Sequence, residues 1–232
     1  MSFLSLSPDE LAAVGVSLTV GLRAIAVGLP LAVLAALALA RGRFVGRTAL
    51  DALVHAPLVL PPVVVGYLLL LAFGIRGPIG SFLNNAFGVR LVFTTGGAAM
   101  AAGVMAFPLM VRAIRLSLDA IDPKLEEAAR SLGAGPLDRF LTVTLPLAAP
   151  GVLAAAIVGF AACLGEFGAV ITFAANVPGK TQTLPLAIYA ALQTPGGEEV
   201  AARLATVSFV IAIVALVGSE VLARRTRAWI GR

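Results

Sequence analysis

Long apolar runs dominate the 232-residue chain and are separated by short polar segments. Five of these runs are long enough to cross a bilayer, whose hydrocarbon core of about 30 Å requires about 20 helical residues. The predicted spans cover roughly 14–40, 50–74, 95–118, 148–175 and 201–223. The pattern therefore predicts an all-α, polytopic integral membrane protein with five transmembrane helices, organised as a single domain over residues 1–232.

The composition favours a membrane protein over a soluble one. Hydrophobic residues make up 59% of the chain and charged residues 12%, whereas soluble domains carry about 25% charged residues. The net charge of +5 would suit a nucleic-acid ligand in a soluble protein, but basic residues in membrane proteins orient the helices, so we expect no nucleic-acid partner. The single cysteine, Cys163, lies within an apolar run, which excludes a disulfide framework or a cysteine metal cluster.

The Lys and Arg residues divide unequally between the two sides of the predicted bundle. Of the 17, Arg23 lies within the first span, and four lie on one side: Arg76, Arg90, Lys180 and Arg203. Twelve lie on the other side: Arg41, Arg43, Arg47, Arg112, Arg115, Lys124, Arg130, Arg139, Arg224, Arg225, Arg227 and Arg232. Because cytoplasmic loops are enriched in Lys and Arg, the N-terminus is predicted outside and the C-terminus inside. The N-terminus has no positively charged region, so we expect no cleaved signal peptide.

The longest charged segment lies between the third and fourth spans. Asp122 is a suitable N-cap, and Pro123 suits the first helical position. Apolar residues follow at helical spacing, Gly133 is placed to end the helix, and Pro136 can begin a second helix that ends before Pro146. A solvent-side helix of about three turns is only marginally stable when nothing packs against it. It either docks on a partner or is an ordinary solvated loop helix.

The same segment carries a spacing typical of one family. Glu127-Ala128-Ala129, three residues, Gly133, nine residues and then Val143-Thr144-Leu145-Pro146 resemble the EAA loop of ABC importer permeases. The family pattern is EAA-x3-G-x9-I-x-L-P, and Val143 is the single departure. The resemblance implies that the segment 122–146 holds a coupling helix seated in a groove of a cytoplasmic ATPase. The coupling residues would then be Glu126, Glu127, Ala128, Ala129, Gly133, Leu145 and Pro146.

Three prolines, Pro57, Pro61 and Pro62, lie inside the second predicted span, in the run 55–66. Each proline removes a helical hydrogen bond, and freed backbone groups at membrane depth are tolerated only where protein or a cavity surrounds them. The run is therefore predicted to form a kinked helix. It either lines a substrate pathway or is a packing kink without contact to substrate.

Arg23 and Glu166 are the main ionisable residues well inside the spans. At a rise of about 1.5 Å per residue, each lies roughly 14 Å from the outer end of its span. Isolated charges at that depth are expensive, so we expect the two to pair, within or between subunits, near an outer gate. The alternative is that backbone groups or water satisfy Glu166 in a wide cavity.

The polar loop before the last span contains three neutral hydrogen-bond donors, Thr181, Gln182 and Thr183. Thr183 is predicted to cap a short helix with Pro185 in its first turn. Near the outer mouth, such donors suit a passing oxyanion. Neutral groups stabilise the anion but hold it less tightly than a fixed positive charge would. An ordinary solvated loop is the alternative.

A narrower resemblance covers the chain from about residue 11 to its C-terminus. The run 60–70, GEFG at 165–168 and TQTLPLAIY at 181–189 are similar to molybdate ABC transporter permeases. Tungstate and sulfate permeases share parts of these motifs, so all three oxyanions remain open. The resemblance implies a type I importer fold and a homodimer with a pathway along its interface. The pathway residues would be Pro61, Pro62, Glu166, Phe167, Thr181, Gln182 and Thr183.

The resemblance also implies partners and a location. Two copies of a cytoplasmic ABC ATPase subunit would use ATP and Mg, and a periplasmic molybdate-binding protein would deliver substrate at the bacterial inner membrane. The chain itself is expected to bind no cofactor or metal and to catalyse no reaction. Two other classes are possible in principle. An intramembrane enzyme would use Asp51 and His55 but has no nucleophile motif, and a secondary transporter would need repeated halves that the sequence lacks.

Overall fold

The computed structural model describes residues 5–230, with side chains except at positions 216 and 219–230. No strand occurs among these residues, which agrees with the all-α prediction. A π-helical turn (Phe140–Thr144) precedes the eighth helix. The helices are α1 (Pro8–Arg41), α2 (Arg47–Val59), α3 (Pro62–Phe73), α4 (Pro78–Phe87), α5 (Thr95–Asp119), α6 (Pro123–Ser131), α7 (Pro136–Arg139), α8 (Leu145–Gly165), α9 (Gly168–Ala174), α10 (Leu184–Leu192) and α11 (Glu198–Ile230).

Helices α1, α5 and α8 pack together to form the core of the bundle. The core is rich in small residues. Along α8 they recur every three or four positions, at Ala148, Gly151, Ala155, Gly159 and Cys163. Small residues let helix backbones approach closely, and in lipid this packing replaces the hydrophobic driving force between helices.

The start of α1 is fixed by its own cap and by α11. Ser7 Oγ accepts a hydrogen bond from the Glu10 N–H at 3.3 Å, and the Ser7 N–H donates to the Glu10 carboxylate at 2.6 Å. The same carboxylate lies 2.9 Å from Arg203 Nη2 of α11, in an ion pair whose Glu10 side chain is buried. At about 1.5 Å per residue, the 34-residue α1 is about 51 Å long. It begins before the span predicted from residue 14 because the capping box starts it at Pro8.

The predicted second span, 50–74, is not one continuous helix. Helix α2 ends at Val59, α3 begins at Pro62, and the two helices are bent by 120° at the break. Leu60 and Pro61 adopt extended backbone angles there. Prolines cannot donate the N–H bonds that would continue α2, and a residue before proline is driven out of the helical region. The kink lies where it is predicted. It is a full break between two helices, and the bent pair can still be counted as one span.

The predicted fourth span, 148–175, is also interrupted. Helix α8 ends at Gly165, and the short helix α9 follows after Glu166 and Phe167. Glu166 Oε1 accepts a hydrogen bond from the Ala169 N–H at 2.8 Å. This carboxylate satisfies a free donor in the first turn of α9, so it stabilises the break. The expectation of an unbroken helix through this position is wrong.

The helix that contains α8 begins earlier than predicted. From Pro136 to Gly165, α7, the π-helical turn and α8 form one apolar helical unit. The second short helix therefore does not end before Pro146. Pro146 directly follows the π-helical turn, so its missing N–H falls where the backbone hydrogen-bond pattern changes from π-helical to α-helical.

Three helical units among the described residues are long and apolar enough to cross a membrane: α1, α5 and Pro136–Gly165. The bent pair α2–α3 is a fourth if it is counted as one span. The predicted fifth span, 201–223, lies on α11, whose side chains are described only in part. The count of five transmembrane helices therefore stays a prediction.

The close packing of α8 on α5 predicts a stability effect at Gly151. A methyl group added there would overlap the Ser117 side chain and lie 3.2 Å from the Ala113 carbonyl oxygen. We expect Gly151→Ala to lower the free energy of unfolding by about 1–3 kcal/mol through overpacking, measured by denaturation of the protein in detergent. The control is Gly165→Ala in the same helix, where no atom lies within 4 Å of the added methyl group. Equal stability of the two variants would contradict this packing.

Candidate functional site

Helix α6 begins and ends where its sequence predicts. Asp122 Oδ1 accepts a hydrogen bond from the Lys124 N–H at 2.9 Å and caps the first turn. After the helix, Gly133 has a φ of +87°, a left-handed conformation that glycine adopts without a steric penalty. This conformation lets the Ala134 N–H bond to the Ala129 carbonyl at 3.0 Å. The chain is thereby turned from α6 towards α7.

Glu126 fastens the polar face of α6 to the bundle. Its Oε1 lies 3.3 Å from Arg41 Nη2 at the end of α1 and accepts a hydrogen bond from Thr144 Oγ1 at 3.1 Å. Arg41 Nη2 also donates to the Leu118 carbonyl of α5 at 3.1 Å. Thr144 is buried at the start of α8. We call Glu126, Arg41 and Thr144 the Glu126 clamp, because together they join α6 to α1, α5 and α8.

The apolar face of α6 points away from the bundle. Leu125 is 48% exposed, Leu132 just beyond the helix is 89% exposed, and Leu137 in α7 is 70% exposed. A surface helix normally buries its apolar stripe against its own protein, yet no residue of α6 is buried. We call these three leucines the docking face. Exposed leucines on and beside a short charged helix are a candidate surface for a partner.

The other predicted coupling residues lie on α6 or at the start of α8. Glu127 and Ala128 are exposed and Ala129 is half-buried. Leu145 is half-buried and Pro146 is exposed. The structure therefore places the Glu-Ala-Ala run and the Leu-Pro pair on two elements that the Glu126 clamp holds together.

Two of the predicted pathway segments meet where α3 packs on α9. A methyl group added at Gly168 would lie 2.8 Å from Pro62 Cβ, and one added at Gly66 would lie 2.7 Å from the Ala169 carbonyl oxygen. Glycine at both positions is needed because the two short helices approach at backbone distance. Both segments are predicted from the sequence, but their contact is not. The sequence signal for this contact is the two glycines, one in each segment.

The predicted pathway residues around this contact differ in exposure. Pro61 and Pro62 are exposed, whereas Glu166 and Phe167 are half-buried. The Phe167 ring packs against Tyr189 of α10 with 5.2 Å between ring centroids. The contact of α3 with α9 thus continues to α10, the helix that follows the predicted donor loop.

The three predicted donors of that loop are not equivalent. Thr181 is buried, and its hydroxyl donates to the Ala175 carbonyl at 3.0 Å and accepts from the Val177 N–H at 2.9 Å. Thr183 is also buried, and its hydroxyl has no hydrogen-bond partner within the described part of the chain. Gln182 is partly exposed. In this conformation Gln182 is the donor of the three that an ion in solution can reach.

Arg23 and Glu166 do not pair within one chain. The ion pairs of the described residues do not include one between them. Arg23 is exposed and lines an apolar groove of about 850 Å³ between α1, α2 and α5. The Glu166 carboxylate bonds to the Ala169 N–H instead. The predicted pair therefore remains a prediction for contacts between two copies of the chain.

The Glu126 clamp predicts how firmly α6 is held. Glu126→Gln removes the charge that attracts Arg41, so backbone amides of α6 should exchange hydrogen about two- to fivefold faster. This rate change corresponds to about 0.4–1 kcal/mol for a partly exposed ion pair. The matched control is Glu127→Gln, since Glu127 forms no ion pair within the described residues. Hydrogen exchange with mass spectrometry measures both, and identical α6 exchange in the two variants would contradict the clamp.

Known proteins resemble this chain closely over nearly its whole length. The profile of a family described as binding-protein-dependent transport system inner membrane component matches residues 28–228. The chain is 52% identical over 227 residues to the molybdenum transport system permease protein ModB of Escherichia coli (strain K12), covering 98% of this chain and 99% of that protein. It is 49% identical over 223 residues to the ModB protein of Haemophilus influenzae, covering 96% and 97%.

Solved structures share the fold at low sequence identity. A bacterial alginate ABC transporter in complex with an alginate pentasaccharide-bound periplasmic protein matches with a TM-score of 0.77 and 19% identity, covering 96% of this chain and 81% of that chain. An amino acid ABC transporter with histidines matches with a TM-score of 0.67 and 19% identity, covering 94% of each chain. The described helices therefore have the fold of a chain in these ABC transporters.

Proposed function

Because the chain belongs to the family of binding-protein-dependent transport system inner membrane components, we propose that it is the permease subunit of an ATP-driven molybdate importer. The observation that carries this proposal is the identity of about half of all aligned residues with two molybdenum permease proteins, along nearly the full length of each. The permease moves the oxyanion by alternating access, and a separate ATPase subunit hydrolyses ATP. The chain binds neither ATP nor Mg itself.

The docking face of α6 supports the ATPase as partner. The polar side of the helix is occupied by the Glu126 clamp, so the exposed leucines are free to enter a groove of another protein. Burial of a leucine side chain contributes about 1.5–3 kcal/mol, which favours docking of this short helix in such a groove. Glu127, Ala128 and Ala129 complete this surface in the proposal.

The remaining partners follow the family. We propose a homodimer with two copies of the ATPase and a periplasmic molybdate-binding protein, as a single-domain chain in the lipid bilayer. The exposed apolar residues of α3 support an interface between the two copies, and they are Val63, Val64, Tyr67, Leu68 and Leu71. The pathway then runs beside Pro61, Pro62, Glu166, Phe167 and Gln182, with Arg23 of one copy paired with Glu166 of the other.

The distribution of positive charge supports one orientation. Arg41, Arg130 and Arg139 line one cavity at the end of the bundle that carries α6, and positively charged loops face the cytoplasm. We place this end and the C-terminus in the cytoplasm and the N-terminus outside the inner membrane. Thr181, Gln182 and Thr183 then lie near the outer side.

The alternative of an intramembrane enzyme lacks support from the residues it would use. Asp51 Oδ1 lies 3.1 Å from Arg115 Nη1, and His55 Nδ1 lies 2.9 Å from the Asp51 carbonyl oxygen. Asp51 therefore joins α2 to α5 through Arg115, and His55 bonds within α2. Among the described residues, no group of three His, Cys, Asp or Glu side chains is placed to hold a metal ion. Tungstate and sulfate remain the alternatives within the transporter class.

ATP hydrolysis by the reconstituted complex tests the proposal. We expect the permease, its ATPase and the binding protein in liposomes to hydrolyse ATP faster when molybdate or tungstate is added, and not when sulfate is added. If sulfate alone stimulates hydrolysis, the proposed substrate changes from molybdate to sulfate. Failure to form a complex with any ATPase would contradict the permease function.

A matched pair of glycine variants sharpens this experiment. A Cβ atom added at Gly133 or at Gly135 meets no neighbouring atom within 4 Å, but of the two only Gly133 has a positive φ, of +87°. Valine is strained at such a φ, so Gly133→Val should abolish the oxyanion stimulation while Gly135→Val retains it. Equal stimulation in the two variants would show that the shape of the turn after α6 does not govern coupling.

A further inference from the structure

A cavity of about 480 Å³ lies between α6, α7 and the connection from α1 to α2. Five of its lining residues are arginines and two are glutamates, which leaves a formal excess of three positive charges. A concave surface with one sign of charge concentrates ions of the opposite sign. The charged residues are Arg41, Arg43, Arg47, Arg130, Arg139, Glu126 and Glu127.

Two of the arginines are held in place by the bundle. Arg47 donates from Nε and Nη2 to the Leu39 carbonyl at 3.0 and 2.6 Å. Arg41 is held by Glu126 and by the Leu118 carbonyl in the clamp. These two guanidinium groups therefore have fixed positions in the lining of the cavity. The charge of Glu126 is balanced by Arg41.

The other three arginines, Arg43, Arg130 and Arg139, form no ion pair within the described residues. Each comes from a different element: the α1–α2 connection, α6 and α7. Like charges around one cavity repel each other, and an anion between them removes this repulsion. The planar guanidinium fork matches the paired oxygens of phosphate-like groups.

We propose that this cavity binds a tetrahedral oxyanion, such as a phosphate group, between Arg43, Arg130 and Arg139. Its volume falls within the range of about 300–1,000 Å³ usual for small-molecule sites. The bound group would join α6 and α7 to the α1–α2 connection and so restrain the coupling helix. The site lies on the Glu126 side of α6, whereas Leu125 and Leu132 of the docking face do not line it. The inference extends beyond transport, because it does not require that the chain moves molybdate.

The phosphate group has two possible sources, a free anion or a phospholipid headgroup, and the test separates them. The full chain is placed in nanodiscs of phosphatidylcholine alone and titrated with inorganic phosphate by calorimetry. We expect saturable binding that Arg43→Gln/Arg139→Gln weakens at least about tenfold, as the loss of charge-assisted hydrogen bonds predicts. These two arginines are outside the clamp, so the fold is expected to persist. Arg112→Gln, an exposed arginine that does not line the cavity, is the control and should bind normally.

A second arm repeats the measurement in nanodiscs that contain phosphatidylglycerol. Loss of phosphate binding there, or retention of phosphatidylglycerol that depends on Arg43 and Arg139 in native mass spectrometry, assigns the site to a lipid headgroup. Unchanged phosphate binding assigns it to a free anion. The proposal is overturned if neither phosphate nor phosphatidylglycerol binds in a way that depends on these arginines. It is also overturned if Arg112→Gln weakens binding as much as the double variant does, because the positive charge would then act diffusely.

Discussion

The orientation of α6 on the bundle depends on the carboxylate of Glu126. Glu126 lies 3.3 Å from Arg41 and 3.1 Å from Thr144, so the polar face of α6 is turned towards the bundle. A short amphipathic helix held by its polar face must present its apolar face to the outside. The exposed leucines therefore result from the clamp, which leaves them available to a partner. This arrangement supports the proposal that α6 connects the membrane bundle to the ATPase.

The bundle behind the clamp is built for close contact. Small residues along α8 pack on α1 and α5, so the helices behind the clamp are closely packed. Towards α9 the backbone becomes irregular, with breaks at Pro61 and at Glu166. The first break is packed against α9 through Gly66 and Gly168, and the second is capped by the Glu166 carboxylate. Irregular backbone at membrane depth is stable only when its polar groups are satisfied in this way.

Local signals in the sequence predicted the parts of the structure that depend on local chemistry. The start of α6 follows from Asp122, its end follows from Gly133, and the kink follows from Pro61. The 120° bend, by contrast, depends on how α3 packs on α9, which no local pattern contains. The break at Glu166 was missed because its flanking residues are as apolar as a span. The burial of Thr181 was missed because its partner, the Ala175 carbonyl, is set by the folded loop. Glu126 belonged to the predicted coupling set, but its partners Arg41 and Thr144 come from other helices, and a single sequence does not reveal such pairs.

The accessibility of position 132 in the assembled complex shows directly whether an ATPase covers the docking face. The native cysteine, Cys163, is buried at 2% exposure, so a cysteine introduced by Leu132→Cys provides the accessible thiol for maleimide labelling. We expect labelling to slow at least about tenfold when the ATPase is bound, because a leucine position buried in an interface is shielded from water. A cysteine introduced by Arg90→Cys, in the connection before α5, should label at the same rate with and without the ATPase. Unchanged labelling at position 132 in a stable complex would contradict the role of α6 as the coupling helix.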